Sequence, residues 1–158
     1  MLIEAALEVA FPYPERVFDE RSADPIVRLE QADAAVQEMI CANEPALRMM
    51  LVHALQLSLE HGGEAKAAVR QNRRTPLIEA ALEPARDQFD AGSYERLVSA
   101  LALVIGTESM LVLKDVLELG DAEARAVRSW VIEALVGFAQ GTDDSGCARR
   151  TPPARSRQ

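Results

Sequence analysis

The segment from residue 93 to residue 119 constrains the fold most, because it is long, free of proline and apolar on more than one side. Its apolar residues form two stripes at helical spacing, one of Leu97, Leu101, Val104 and Leu111 and one of Val98, Ile105, Val112 and Leu119. Ser93 is typical of an N-cap, and Gly120 of a helix end. A helix that is apolar nearly all round must be covered on several sides. We therefore predict one continuous helix over 93–119, covered partly by a second copy of the chain.

The composition favours an all-α fold. Apolar residues make up 49% of the chain and aromatic residues only 4%, and no run alternates apolar and polar residues over the length of a strand. A chain of 158 residues suffices for one domain with its own core. We predict one domain of about six to seven helices over residues 1–141. A disordered tail rich in arginine and proline follows over 142–158.

Proline and glycine predict the boundaries of the other helices. We expect a first helix over 1–10, and a second that opens at Asp24-Pro25 and ends near Cys41. A third restarts at Asn43-Glu44-Pro45 and stops at Gly62-Gly63, and the basic stretch 64–74 is either a frayed helix or a loop. Thr75-Pro76 opens another helix, which Pro84 should kink, and Gly120-Asp121 begins the last one.

The charge distribution argues against nucleic-acid binding. The net charge is −8, and from residue 140 onward four arginines oppose two aspartates, so the tail carries +2 and the rest of the chain −10. An acidic surface repels a phosphate backbone. We expect no sequence-specific DNA binding by this chain alone.

No motif indicates an enzyme, a cofactor or a metal. Cys41 and Cys147 lie too far apart in sequence for a metal-ligand pair, and neither histidine has a carboxylate at metal-ligand spacing. The longest apolar run, 97–105, is too short to cross a bilayer. We predict a cytoplasmic protein that is not an enzyme, uses no cofactor and has no membrane partner.

Two acidic residues interrupt the apolar stripe of the long segment. Glu108 and Asp115 lie seven positions apart, on one helix face. They are either a solvated or ion-paired stripe, or polar groups inside a ligand cavity, where a charge needs a partner. Arg48, Arg86 or the pair Arg73 and Arg74 could supply that partner.

Several other residues have two interpretations. His53 is either a core or surface histidine or a ligand contact, and the methionines at 39, 49, 50 and 110 either fill the core or line an adaptable apolar cavity. Trp130 is a packing anchor at a seam between helices or between molecules. Gly106 costs about 1 kcal/mol within a helix, so it either admits the close approach of another helix or is simply tolerated.

The inward and outward stripes predict two sets of functional residues. The ligand-binding set is Met50, His53, Leu57, Ile78, Leu82, Leu101, Ile105 and Glu108, because these positions face the place where three helices must converge. The dimer-interface set is Val98, Val112, Leu119, Val127, Trp130, Val131, Ala134 and Phe138.

Two segments resemble the C-terminal domain of the TetR family of bacterial transcriptional regulators. Residues 94–139 are similar to the last two long helices of that domain, and residues 43–60 with 73–82 are similar to the helices before them. The resemblance implies a domain that binds a small apolar effector. It also implies a homodimer in which the last two helices of each chain form a four-helix bundle.

The start of the chain departs from the family pattern. Family members open with a three-helix DNA-binding unit, whereas here residues 1–7 are similar to the helix that follows it. We therefore expect a sensing and dimerisation domain without its own DNA-binding head, unless the true start lies upstream. The alternative is an interaction protein that pairs with a full-length TetR-like regulator and weakens the DNA binding of that regulator.

Overall fold

The computed structural model describes residues 11–18, 22–60 and 72–141, and all regular structure in these ranges is helical. The α-helices are α1 (Pro14–Val17), α2 (Pro25–Glu60), α3 (Arg74–Leu82), α4 (Ala91–Val104), α5 (Thr107–Met110) and α6 (Asp121–Gly141). A 3-10 helix (Glu83–Gln88) follows α3, and a π-helical segment (Leu111–Val116) follows α5. The all-α prediction is confirmed.

Helix α2 begins where the sequence predicts, but it runs as one kinked helix through the place where one helix was predicted to end and another to begin. The Asp24 side chain accepts a hydrogen bond from the backbone N–H of Ile26 at 2.8 Å, and Pro25 occupies the first turn. Near the middle, Asn43 leaves the helical conformation (φ −126°, ψ 19°), two positions before Pro45. Because proline disfavours helical geometry in the residues before it, the predicted restart is present as a kink within one long helix.

The next helices differ in detail from the prediction. Pro84 lies in the 3-10 helix that continues α3, so the chain tightens there. Helix α4 begins at Ala91, and its N-cap is Asp90, whose side chain accepts from the backbone N–H of Ser93 at 2.9 Å. Ser93 is therefore a buried first-turn residue, and its predicted role as N-cap is wrong.

The predicted continuous helix over 93–119 is also wrong. Helix α4 ends at Val104, Ile105 and Gly106 leave the helical conformation, and the chain resumes as α5 and the π-helical segment at an angle of 48°. The Arg74 guanidinium donates to the carbonyl oxygen of Ala102 at 2.9 Å. A Cβ atom at position 106 would lie 2.5 Å from Arg74 Nη1. Arg74 thus donates a hydrogen bond to a carbonyl oxygen near the end of α4. Because Gly106 has no Cβ atom, it leaves room for the guanidinium group.

One hydrophobic core joins the first half of α2 to α3, α4 and α6. Its largest fully buried side chains are Leu29, Val36, Ile40, Leu77, Ile78, Leu82, Leu101, Ile105, Ile132 and Val136. The second half of α2 has exposed apolar residues instead, among them Leu55 and Leu59.

Some predictions fall outside the described residues. These are the helix over 1–10, the Gly62-Gly63 stop, most of the basic stretch 64–74 and the tail 142–158. Among the helices that the structure describes, none is by itself long and apolar enough to cross a membrane. By length and composition alone, the bent pair of α4 with Thr107–Val116 reaches that threshold.

Candidate functional site

Helix α6 exposes an apolar surface, which we call the α6 face. It consists of Val127, Trp130, Val131, Ala134 and Phe138, spaced three and four positions apart and therefore aligned along one side of the helix. The side chains of Trp130 and Phe138 are 69% and 75% exposed. The opposite side carries the buried residues Ala124, Arg128, Ile132, Val136 and Ala139. One side of α6 thus packs in the core while the other presents two aromatic rings to solvent.

Small residues adjoin these rings. Ala134 lies between Trp130 and Phe138 along the face, and a Cβ atom built on Gly137 or Gly141 would meet no atom within 4 Å. Small side chains allow the backbone of another helix to approach closely, and aromatic side chains are enriched at protein interfaces. The α6 face therefore has the composition of a contact surface.

The predicted interface residues divide between three environments. The five on α6 lie together, and Val112 on the π-helical segment is half exposed. Val98, by contrast, is 7% exposed in the core of the single chain. Leu119 lines the groove described next. The break after Val104 rotates the π-helical segment relative to α4, so the stripe of Val98, Ile105, Val112 and Leu119 is not a continuous surface.

The structure also has an open groove of about 950 Å³. It is bounded by residues 11–17, the first half of α2, the π-helical segment and the start of α6. Its apolar lining comprises Phe11, Tyr13, Val17, Met39, Met110, Leu113 and Leu119, and its polar lining includes Gln31, Gln37, Glu38, Arg125 and Arg128. The groove is large enough for a small organic molecule.

Arg128 of the groove wall forms a buried ion pair with Asp33, which joins α2 to α6. Arg128 Nε donates to Asp33 Oδ2 at 2.9 Å and to Oδ1 at 3.1 Å, and both side chains are 8% exposed. Burial raises the pKa of Asp33, while the hydrogen bond and charge of Arg128 act in the opposite direction. Ser129 donates to Glu30 one turn away and adds a second polar link between the two helices.

A network of exposed charges attaches the π-helical segment to α2. Arg48 contacts Asp115 at 2.6 Å and Glu44 at 2.8 Å, and Lys114 donates to Glu44 at 2.7 Å. The hydrogen bond from Arg48 lowers the pKa of Asp115, and those from Lys114 and Arg48 lower the pKa of Glu44. Asp115 therefore belongs to an ion-paired surface, which was one of its two interpretations.

Glu108 is also ion-paired, at 2.8 Å from Arg74 Nη1, and its side chain is 42% exposed. Of the other predicted ligand-binding residues, Ile78, Leu82, Leu101 and Ile105 are fully buried in the core. Met50 and Leu57 are partly buried and His53 is exposed. None of the eight lines the groove.

The groove was missed because it depends on the break after Val104. The break brings Met110, Leu113 and Leu119 to face α2, a position that a straight helix would not give them. The one sequence signal was the methionines, for which a cavity lining was an open interpretation. Met39 and Met110 line the groove, whereas Met49 is exposed and Met50 packs on the core.

The described residues contain no group of three His, Cys, Asp or Glu side chains that could hold a metal ion. No family model matches the chain, and no curated protein or solved structure was found to match it. The interpretation of function therefore depends on the α6 face and the groove.

Proposed function

We propose that the chain is the dimerisation and small-molecule-sensing domain of a TetR-like transcriptional regulator. The observation that carries the proposal is the α6 face, where Trp130 and Phe138 are mostly exposed although the opposite side of the same helix packs in the core. Contiguous exposed apolar surface of this kind is typical of a protein–protein interface. A second copy of the chain is the partner that the resemblance implies.

A two-fold pairing of α6 with itself suits the residues present. In a two-fold dimer each surface patch meets its own copy, so the rings of one chain can rest beside the small residues of the other. The α6 face has both kinds, since Ala134, Gly137 and Gly141 lie beside Trp130 and Phe138. The resulting contact places apolar atoms against apolar atoms, because the α6 face contains no charged residue.

Sensing is supported by the position of the groove. Helix α6 carries the α6 face on one side and Arg128 of the groove wall on another, and Val127 and Arg128 are adjacent in sequence. A molecule that binds one arrangement of the groove more tightly than another would shift the orientation of α6 and with it the arrangement of the two chains. The π-helical segment touches the groove as well, and such segments are frequent at functional sites.

Sedimentation velocity at micromolar concentration tests the proposal. We expect the wild-type chain to be a dimer and Phe138→Glu to be a folded monomer, because the substitution places two charges in an apolar contact while altering a side chain that is 75% exposed in the single chain. Leu59→Glu is the matched control, since Leu59 is 83% exposed on the last turn of α2. A wild-type chain that sediments as a well-folded monomer would contradict the proposal.

A further inference from the structure

Three residues of the groove lining, Gln31, Gln37 and Arg128, have polar atoms without a partner among the described residues, and Gln31 Oε1 and Gln37 Nε2 are buried as well. Gln31 Oε1 is buried and accepts no hydrogen bond from the described residues. The Arg128 side chain is 8% exposed and binds Asp33 through Nε, while its Nη1 and Nη2 groups donate to none of the side chains or carbonyls that the structure describes. Buried polar atoms in native proteins are nearly always paired. The groove wall thus offers a bound molecule one acceptor, Gln31 Oε1, and two kinds of donor, Gln37 Nε2 and the Nη groups of Arg128.

The charges around the groove are balanced. Arg128 is neutralised by Asp33 and Lys114 by Glu44. The remaining charged residues of the lining are Arg16, Arg125, Glu38 and Asp121, two of each sign, and all four are exposed to solvent. Exposed charges are well screened, so the groove has no net attraction for an ionic ligand.

From these observations we infer that the groove binds a neutral amphipathic molecule with an aliphatic or aromatic body and an amide head group. The amide oxygen accepts from the Nη groups of Arg128, and the amide N–H donates to Gln31 Oε1. The body lies on the apolar lining formed by Phe11, Val17, Met39, Met110, Leu113 and Leu119. The inference names the ligand class of the proposed sensor, and so it rests on the proposed function.

Charged head groups fit the groove less well. A carboxylate brings a second negative charge beside Asp33, whose pKa is already raised by burial, and it has no donor for Gln31. An alkylammonium group brings a positive charge beside Arg128 and offers that arginine no acceptor. Both ions would also lose their hydration on entering the groove. An amide supplies an acceptor for the unpaired donors and a donor for Gln31 Oε1 without adding charge.

Isothermal titration calorimetry with three probes of equal chain length tests the inference. We expect octanamide to bind at least tenfold more tightly than octanoate or octylammonium at neutral pH. Equal or tighter binding of either ion, or no binding of octanamide, would overturn the inference.

Two variants test whether Gln31 and Arg128 bind the amide head group. Gln31→Leu removes the acceptor, and Arg128→Lys keeps a cation beside Asp33 but removes the Nη groups. Each should weaken octanamide binding by about tenfold or more, the effect of losing one good hydrogen bond in a buried site. Gln56→Leu, an exposed site on the second half of α2, is the control and should leave the affinity unchanged. If the groove variants bind octanamide like the wild type, the amide site is overturned.

The oligomeric state of the same samples separates a failure of the ligand class from a failure of the proposed dimer. Because Gln31 and Arg128 lie off the α6 face, both variants should remain dimeric, with circular dichroism reporting that they fold. Dimers that do not distinguish the three probes would overturn the ligand class while leaving dimerisation intact. A monomer that binds octanamide selectively would contradict the proposed dimer and leave the ligand class standing.

Discussion

At the scale of single residues, the hydrogen bonds and ion pairs of three arginines connect the helices to one another. Arg74 ends α4 by taking a carbonyl oxygen and pairs with Glu108, Arg48 connects α2 to the π-helical segment, and Arg128 connects α2 to α6. Each of these arginines joins parts of the chain that are distant in sequence. For Glu108 and Asp115 an ion pair was one of two open interpretations, and the structure gives each of them an arginine partner.

The Arg48 network predicts a shifted titration of Asp115. Its pKa should lie below the usual value of 3.8, because the hydrogen bond from Arg48 stabilises the charged form. A carboxyl with a lowered pKa in the folded state contributes stability above its ordinary pKa and loses that contribution as pH falls through the lowered value. The titration can be followed by carbon-13 NMR of the Asp115 carboxyl group.

Arg48→Gln should return the pKa of Asp115 toward its ordinary value and remove the corresponding acid dependence of stability. Arg96→Gln is the control, because Arg96 acts on Asp90 at the start of α4 and not on Asp115. If the Asp115 titration is the same in wild type and Arg48→Gln, the ion pair is absent in solution.

At the scale of secondary-structure elements, the sequence predicted features that depend on neighbouring residues and missed the one that depends on a residue distant in sequence. Asp24-Pro25 starts α2, and Pro45 produces the kink at Asn43, because both effects act over a few neighbouring residues. The break after Val104 was not predictable in this way, since it depends on Arg74 approaching from another helix. Apolar periodicity cannot show which stripe a tertiary contact will interrupt. For the same reason it placed Val98 in an interface and did not find the groove.

Gly106→Ala tests the origin of this break. The extended backbone at Gly106 (φ 163°) is open to alanine, but the added Cβ atom would lie 2.5 Å from Arg74 Nη1. Arg74 would have to move and give up its bonds to Ala102 and Glu108. We expect a loss of about 1–3 kcal/mol in the free energy of unfolding, measured with urea.

Gly92→Ala provides the comparison for that measurement. An added Cβ atom there would lie 3.5 Å from the Asp90 side chain, an ordinary contact distance, and alanine favours the helix over glycine by up to about 1 kcal/mol. This variant should be as stable as the wild type or more so. If Gly106→Ala were equally stable, the close approach of Arg74 would not be what breaks the helix.

At the scale of the whole molecule, α6 connects the two candidate sites. Its buried side completes the core and contributes Arg128 to the groove, while its outer side is the α6 face. Under the proposed function, a dimer formed through that face is linked to occupancy of the groove. By the reciprocity of linked equilibria, a ligand that favours the dimer must also bind the dimer more tightly than the monomer.

The chain contains a natural probe of this arrangement, because Trp130 is its sole tryptophan and lies on the α6 face. In the single chain its side chain is 69% exposed, so its fluorescence should be red-shifted and readily quenched by acrylamide. In a dimer formed through α6 the indole would be covered by the partner chain. Phe138→Glu should keep Trp130 exposed at every concentration.

The most direct test is therefore the quenching of Trp130 fluorescence by acrylamide, measured from nanomolar to high micromolar protein concentration. We predict that the wild-type quenching constant falls and the emission maximum shifts to shorter wavelength as concentration rises, in step with the dimer fraction from sedimentation. A Trp130 that remains equally exposed to acrylamide across the whole range would contradict dimerisation through the α6 face.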